Sequence, residues 1–183
     1  MTDALTDDVL RARARDPELF NTVYRTYAAQ VLGYLTARGV EDPEAVMQEV
    51  FLAVLPRLGT VTGGVAGLRT FVFSVAHARM VDDHRRQRRR PIELPFEPDL
   101  DRREDTSAET EVLQKISPQE VLDLLSGLPD EQREVLSLRL VGGLTVEQVA
   151  DVMGKTAGSV KQLQRRALVK LREESAVKEY VVP

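Results

Sequence analysis

The stretch LTVEQVADVMGKTAGSVKQLQRRALVKL, residues 144–171, leaves little freedom in how it can fold. Thr145 and Gln148 stand three apart, the spacing of a capping box, in which a hydroxyl and an amide satisfy the free N–H groups at a helix start. Val146, Val149, Ala150 and Met153 then fall on one face of a short helix. Gly154 supplies the residue that accepts positive φ at no steric cost, and Thr156 can cap a second helix. In that second helix Val160, Leu163, Ala167 and Leu171 recur at i, i+3, i+7 and i+11. A small residue at Ala150 lets the two helices cross closely. The stretch is a helix-turn-helix by mechanism as well as by pattern.

The rest of the chain is helical by the same reasoning, since no strict apolar alternation long enough for a strand occurs. Residues 17–38 carry Leu19, Phe20, Val23, Tyr24, Tyr27, Val31, Leu32 and Leu35 at helical spacing. Asp42 as N-cap and Pro43 at the first helical position open another segment, whose inward face is Val46, Met47, Val50, Phe51, Val54 and Leu55. Residues 68–90 form a third long helix through Leu68, Phe71, Val72, Val75, Ala76, Arg79 and Asp82 or Asp83. Periodicity then fails in PIELPFEPDLDRREDTSAETEVLQKIS, residues 91–117, which holds three prolines in its first eight positions and eight acidic against three basic residues. SPQE at 117–120 restarts a helix, and Gly142 and Gly143 close LPDEQREVLSLRLVGG. The expected fold class is all-α, with two small helical domains joined by a flexible acidic linker.

Net charge is -4, yet it is unevenly spread. Residues 69–90 carry seven basic and two acidic groups, and residues 154–172 carry six basic and none acidic. Two compact cationic blocks in an acidic chain fit two localised polyanion contacts; a solvated basic face is the other reading of either block. Opposite the apolar stripe of the last helix lie Ser159, Lys161, Gln162, Arg165 and Arg166, the face that would enter a major groove. The first block adds Arg79, Arg85, Arg86, Arg88, Arg89 and Arg90, a surface for phosphates.

Three blocks resemble one family in order and spacing, the extracytoplasmic-function (ECF) type sigma factors of bacterial RNA polymerase, in the sigma-70 family. EAVMQEVFLAVLPRL is similar to the family's D-L-V-Q-E-V-F motif. LRTFVFSVAHARMVDDHRRQRRR resembles its F-R-A-W-L-Y-R-I-A-R-N-R-A-I-D-H-L-R-R, and residues 128–172 resemble its fourth conserved domain. The resemblance implies a region 2 domain over 1–90, a linker over 91–116, a region 4 domain over 117–175 and a tail over 176–183. It further implies that Glu44, Gln48, Glu49 and Leu52 dock on the β′ clamp helices of core polymerase, where residues alone also allow a solvated face. Region 4 would meet the β flap. The arginine block would lie beside the minus-10 element of promoter DNA, the loop at 56–67 would capture an unstacked base, and the last helix would read the minus-35 element. An anti-sigma factor is the expected regulatory partner.

The sequence departs from the family at several positions. Phe71 and Phe73 stand where it has Trp and Tyr, and either ring suits a core or a DNA contact. Ala78, Leu163, Gln164 and Leu168 replace or exchange residues that bear on base contacts, so those contacts are not carried over.

Other classes are weighed on the same residues. A chain without cysteine has neither disulfides nor thiolate metal sites. His77 and His84, two helical turns apart, are too distant to share one ion, so no metal or cofactor is expected. Neither a signal peptide nor a membrane span is read in the sequence, which makes a cytoplasmic protein the expectation. Asp82, Asp83 and His84 are the only tight acidic and histidine group, at a basic helix end better suited to holding phosphate than cleaving it, so no enzyme activity is expected. The alternative is a helix-turn-helix regulator that acts on DNA without being a polymerase subunit.

Overall fold

The computed structural model describes residues 5–7, 10, 16–89 and 124–181, with side chains to residue 173. Arg90, the linker, the expected cap at Ser117 and the end of the tail lie outside the described residues. No strand occurs among them.

Helix α1, Pro17–Ala37, begins where Asp16 accepts the Glu18 N–H at 2.9 Å and a proline occupies the first turn. Its buried stripe is Leu19, Val23, Tyr27, Val31, Tyr34 and Leu35, while Tyr24 lies at the edge with its ring 4.8 Å from that of Phe51. Helix α2, Pro43–Val54, starts as the sequence predicts, with Asp42 accepting the Ala45 N–H at 3.0 Å. A 3₁₀ turn, Leu55–Thr60, leads to α3, Gly64–Arg89, in which Leu68, Val72, Phe73, Ala76 and Met80 are buried. These three helices form the first lobe.

The second lobe opens with a helical turn at 124–126 and α4, Asp130–Leu136, which widens into a π-helical turn over Ser137–Val141. Gly143 at φ 62° ends it. Helix α5, Val146–Met153, has the full capping box: Gln148 N–H to Thr145 Oγ1 at 3.2 Å and Thr145 N–H to Gln148 Oε1 at 2.8 Å. Gly154, in the left-handed region at φ 62°, turns the chain into α6, Ala157–Val181, where Thr156 Oγ1 accepts the Ser159 N–H at 3.2 Å. Val160 and Ala167 are fully buried, and Leu163 and Leu171 are half-buried beside them.

The lobes are packed on one another. One apolar cluster runs from Leu19, Phe51 and Phe73 in the first lobe to Val135, Leu138, Leu144, Val149 and Val160 in the second. A smaller one joins Ala37 of α1 to Leu125, Leu128, Leu136 and Ala167. Burying one such Leu, Val or Phe contributes about 1.5–3 kcal/mol, so the shared cluster is a substantial part of what holds this arrangement. The seam fits closely at Gly142. A Cβ there would lie 2.7 Å from the Leu138 carbonyl oxygen, 2.8 Å from Leu144 Cδ1 and 3.1 Å from Phe73 Cε1.

Candidate nucleic-acid interface

The capped turn aims α6 so that its buried stripe faces α5 and α4, which leaves the opposite face to solvent. Lys161, Gln162, Arg165 and Arg166 are exposed and Ser159 is half-buried. No ion pair among the described residues involves Lys161, Arg165 or Arg166. Leu168 and Val169, 42% and 47% exposed, continue this surface toward the C-terminus. Cationic side chains without internal partners, on the second helix of a helix-turn-helix, can meet phosphates and base edges without first breaking a contact.

The arginines of α3 are arranged differently. Arg79 and Arg86, seven residues apart, both reach Glu49 of α2, at 3.9 and 3.7 Å. Arg85 lies 3.9 Å from Asp82, and together with Arg88 it lines a cavity between the lobes. Arg89 is exposed. The described part of the sequence-predicted cationic surface is therefore divided between two sides of the helix.

On α2, Glu44, Gln48 and Leu52 form an exposed row at i, i+4 and i+8, with Leu52 75% exposed. Glu49 sits off this row, turned to the arginines. The turn before α3 is held by Asp7, whose Oδ1 accepts the Val65 N–H at 2.7 Å. A pocket here is lined by Asp7, Leu10, Leu58, Val61 and Thr62 together with Gly59, Gly63 and Gly64. Gly67 is required, since a Cβ would strike the Thr62 carbonyl oxygen. Phe73 is fully buried, edge-on to Tyr34 with ring centroids 5.8 Å apart, and Phe71 is half-buried.

Sequence reasoning missed a polar cluster at the seam. Glu134 of α4 is 3% exposed and Arg38, just after α1, is also 3% exposed. Tyr34 Oη donates to Glu134 Oε1 at 2.6 Å, and His77 Nδ1 of α3 lies 2.9 Å from the same oxygen. Arg38 Nε is 2.6 Å from Glu134 Oε2, close enough for ion pairing although its N–H is not aligned on the oxygen. Arg38 Nη2 also donates to Asp130 Oδ1 at 2.6 Å. Burial raises the Tyr34 hydroxyl well above its ordinary pKa, and the Glu134 carboxylate pushes it further. Burial opposes the charge on Arg38, but Glu134 and Asp130 more than reverse this and raise its pKa. Removing one partner of a buried ion pair costs about 3–5 kcal/mol, because the other charge stays behind unpaired. One signal was present in the sequence: Arg38 continues the core spacing Tyr27, Val31, Tyr34, where a charged residue is out of place.

Among the described residues no helix is long and apolar enough to cross a membrane, and no group of three His, Cys, Asp or Glu could hold a metal. His77 is engaged with Glu134 and Tyr34 rather than with His84.

Comparison with known proteins agrees with this architecture. The family described as "Sigma-70, region 4" matches residues 124–173, which contain α4 to α6 up to the last described side chain. The ECF RNA polymerase sigma factor BldN of Streptomyces coelicolor is 34% identical over 163 residues, 87% of this chain and 61% of its own length. The ECF RNA polymerase sigma factor SigD of Mycobacterium tuberculosis is 33% identical over 176 residues, 91% of this chain and 81% of SigD. Among solved structures, CnrH in complex with the cytosolic domain of CnrY superposes with a TM-score of 0.65 at 20% identity, covering 96% of this chain and 99% of that one, and so shares the fold. With both lobes matched in order and a region 4 that folds as the family's does, the chain belongs to the ECF RNA polymerase sigma factors of the sigma-70 family.

Proposed function

We propose that this chain directs promoter-specific transcription initiation by joining core RNA polymerase and carrying two DNA-binding surfaces to one promoter. The observation that supports this most is the unpaired cationic face of α6 on a capped helix-turn-helix. Ser159, Lys161, Gln162, Arg165 and Arg166 read and hold the minus-35 element. Arg79, Arg85, Arg86, Arg88, Arg89 and Arg90 hold phosphates beside the minus-10 element, where the pocket at residues 58–64 can receive an unstacked base. Stacking in DNA is worth about 1.4 kcal/mol per step and a base held by protein recovers about 1–3 kcal/mol, so capturing one or two bases tips a nearly balanced bubble.

The row Glu44, Gln48 and Leu52, with Glu49 behind it, attaches the region 2 domain over 1–90 to the β′ clamp helices. The region 4 domain over 117–175 meets the β flap. Such a protein is a cytoplasmic subunit without chemistry of its own. An anti-sigma factor that covers Leu52 and part of residues 117–141 would keep it from polymerase.

Run-off transcription with purified core enzyme on genomic fragments tests the reading. Specific starts that depend on the added chain and on no ATP hydrolysis by it are expected. Promoter binding by the chain alone as a dimer, with no initiation alongside core enzyme, would instead make it a helix-turn-helix regulator outside polymerase.

A further inference from the structure

The reading just given requires the lobes to stand far apart. Promoter elements at minus 35 and minus 10 are centred some 25 base pairs apart, roughly 85 Å at 3.4 Å per base pair. In the structure α5 packs directly on α3 and α6 packs on α5. Helices in contact lie 8–10 Å apart, which puts the recognition helix roughly 20 Å from the α3 helix that ends in the arginine block. The two DNA surfaces cannot reach both elements in this arrangement.

The contact is continuous along α3. Ala66 accepts from Gln148 Nε2 through its carbonyl at 3.0 Å, and Arg69 Nη1 donates to the Gly143 carbonyl at 3.1 Å. Phe73 meets Gly142, and His77 meets Glu134. Spaced 3, 4 and 4 apart, these residues make a single stripe of the helix, and beyond it His84, Arg85 and Arg88 face Asp130, Glu131 and Lys155 across the cavity. Tyr34 and Arg38 close the far side from α1. The second lobe thus sits in the groove between α1 and α3.

We infer that the Tyr34–Arg38–His77–Glu134 cluster is a clasp holding the chain in a closed resting state that cannot span a promoter, and that the clasp must open for initiation. This rests on the sigma reading proposed above. The row Glu44, Gln48 and Leu52 is exposed while the clasp is shut, so attachment to polymerase can precede opening. A polar lock suits a reversible contact. Each of its charged groups regains hydration on separation, whereas an all-apolar seam would gain nothing from water. Inter-domain contacts that move are accordingly more polar than permanent ones.

The absence of cysteine allows a direct test on the full chain. Cysteines introduced as Ala66→Cys and Gln148→Cys are joined by a short cleavable bis-maleimide. The unlinked variant should initiate transcription. The linked one should bind core polymerase yet lose initiation, and cleaving the linker should restore it. Linked and unlinked chains initiating equally would overturn the clasp and leave the sigma reading intact; a folded unlinked chain that never initiates with active core enzyme would overturn the sigma reading and the clasp with it. In parallel, Tyr34→Phe and Glu134→Gln, which preserve size, should lengthen the distance between fluorophores on the two lobes and hasten open-complex formation, with helicity by circular dichroism unchanged. Folded variants with an unaltered distance would also overturn the inference.

Discussion

The two cationic blocks are alike in sequence and unlike in the structure. On α6, Lys161, Arg165 and Arg166 are free of carboxylate partners among the described residues. At the end of α3, Arg79 and Arg86 lean on Glu49, and Arg85 and Arg88 face the seam. A surface with no internal partner is ready for DNA as it stands. One whose arginines already touch the chain's own acids must exchange those contacts, so its affinity depends on what else the chain is doing. Net charge along a sequence counts both blocks equally, and only geometry separates them.

That contrast can be broken most strongly on α6. Arg165→Ala or Arg166→Ala should weaken initiation that depends on the minus-35 element by about 1–3 kcal/mol if the lost contact is bidentate to a base. Promoter titrations with altered minus-35 sequences measure it. If both variants behave as wild type, the ready surface lies elsewhere.

Next in size is the turn that aims this helix. Gly154 holds φ at 62° with nothing within 4 Å of a Cβ, so Gly154→Ala meets no clash and isolates backbone strain. A non-glycine residue in that conformation costs roughly 1–2 kcal/mol, and a lowered thermal midpoint should report it. No single backbone position sets the aim of the α3 block in this way.

Smaller effects sharpen the other side of the comparison. Glu49→Gln releases Arg79 and Arg86 from ion pairs of the exposed kind, worth about 0–1 kcal/mol. Non-specific DNA binding should tighten and depend more steeply on salt, as fluorescence anisotropy across a salt series would show. Lys161→Ala should lower the salt slope by about 0.9, the value of a single phosphate contact, without changing sequence preference.

The least change is expected from acid. Burial works to raise the Asp130 pKa, but Arg38 overrides it, with smaller help from Arg133 and His84, and the net shift is downward. A carboxylate lowered in the folded state adds stability above its unfolded pKa and loses it as pH falls through the lowered value. The lobe contact should therefore loosen only below the ordinary carboxylate range, and by little, since the Asp130 side chain is 80% exposed. Inter-lobe fluorescence distances from pH 7 downward follow it.

What could be read from the sequence was local. Asp42, the Thr145 and Gln148 box, Gly154 and Thr156 each act within three or four residues of themselves, so their types and spacing sufficed. The α6 face followed from its stripe. Glu134 was opaque because its partners stand 57 and 100 residues away in Tyr34 and His77, and within DEQREVL it reads as one more solvated acid. Phe73 was undecided for the same reason, as part of its surroundings comes from Gly142. Expecting two lobes was sound. Their closure depends on shape and charge across the seam, which no periodicity along one helix displays.

The π-helical turn at Ser137–Val141 has a mechanical meaning. A wide turn inserts a residue that the screw of an α-helix does not count, and it lets Leu138 and Leu144 both point inward while Leu140 swings out to 60% exposure. Deleting one residue there would restore an ordinary helix, but would rotate everything downstream by about 100° and draw it back by about 1.5 Å. The recognition helix would stay intact as a unit and be thrown out of phase with the groove that seats it. The bulge acts as a spacer that tunes the angular phase between the two halves of the molecule.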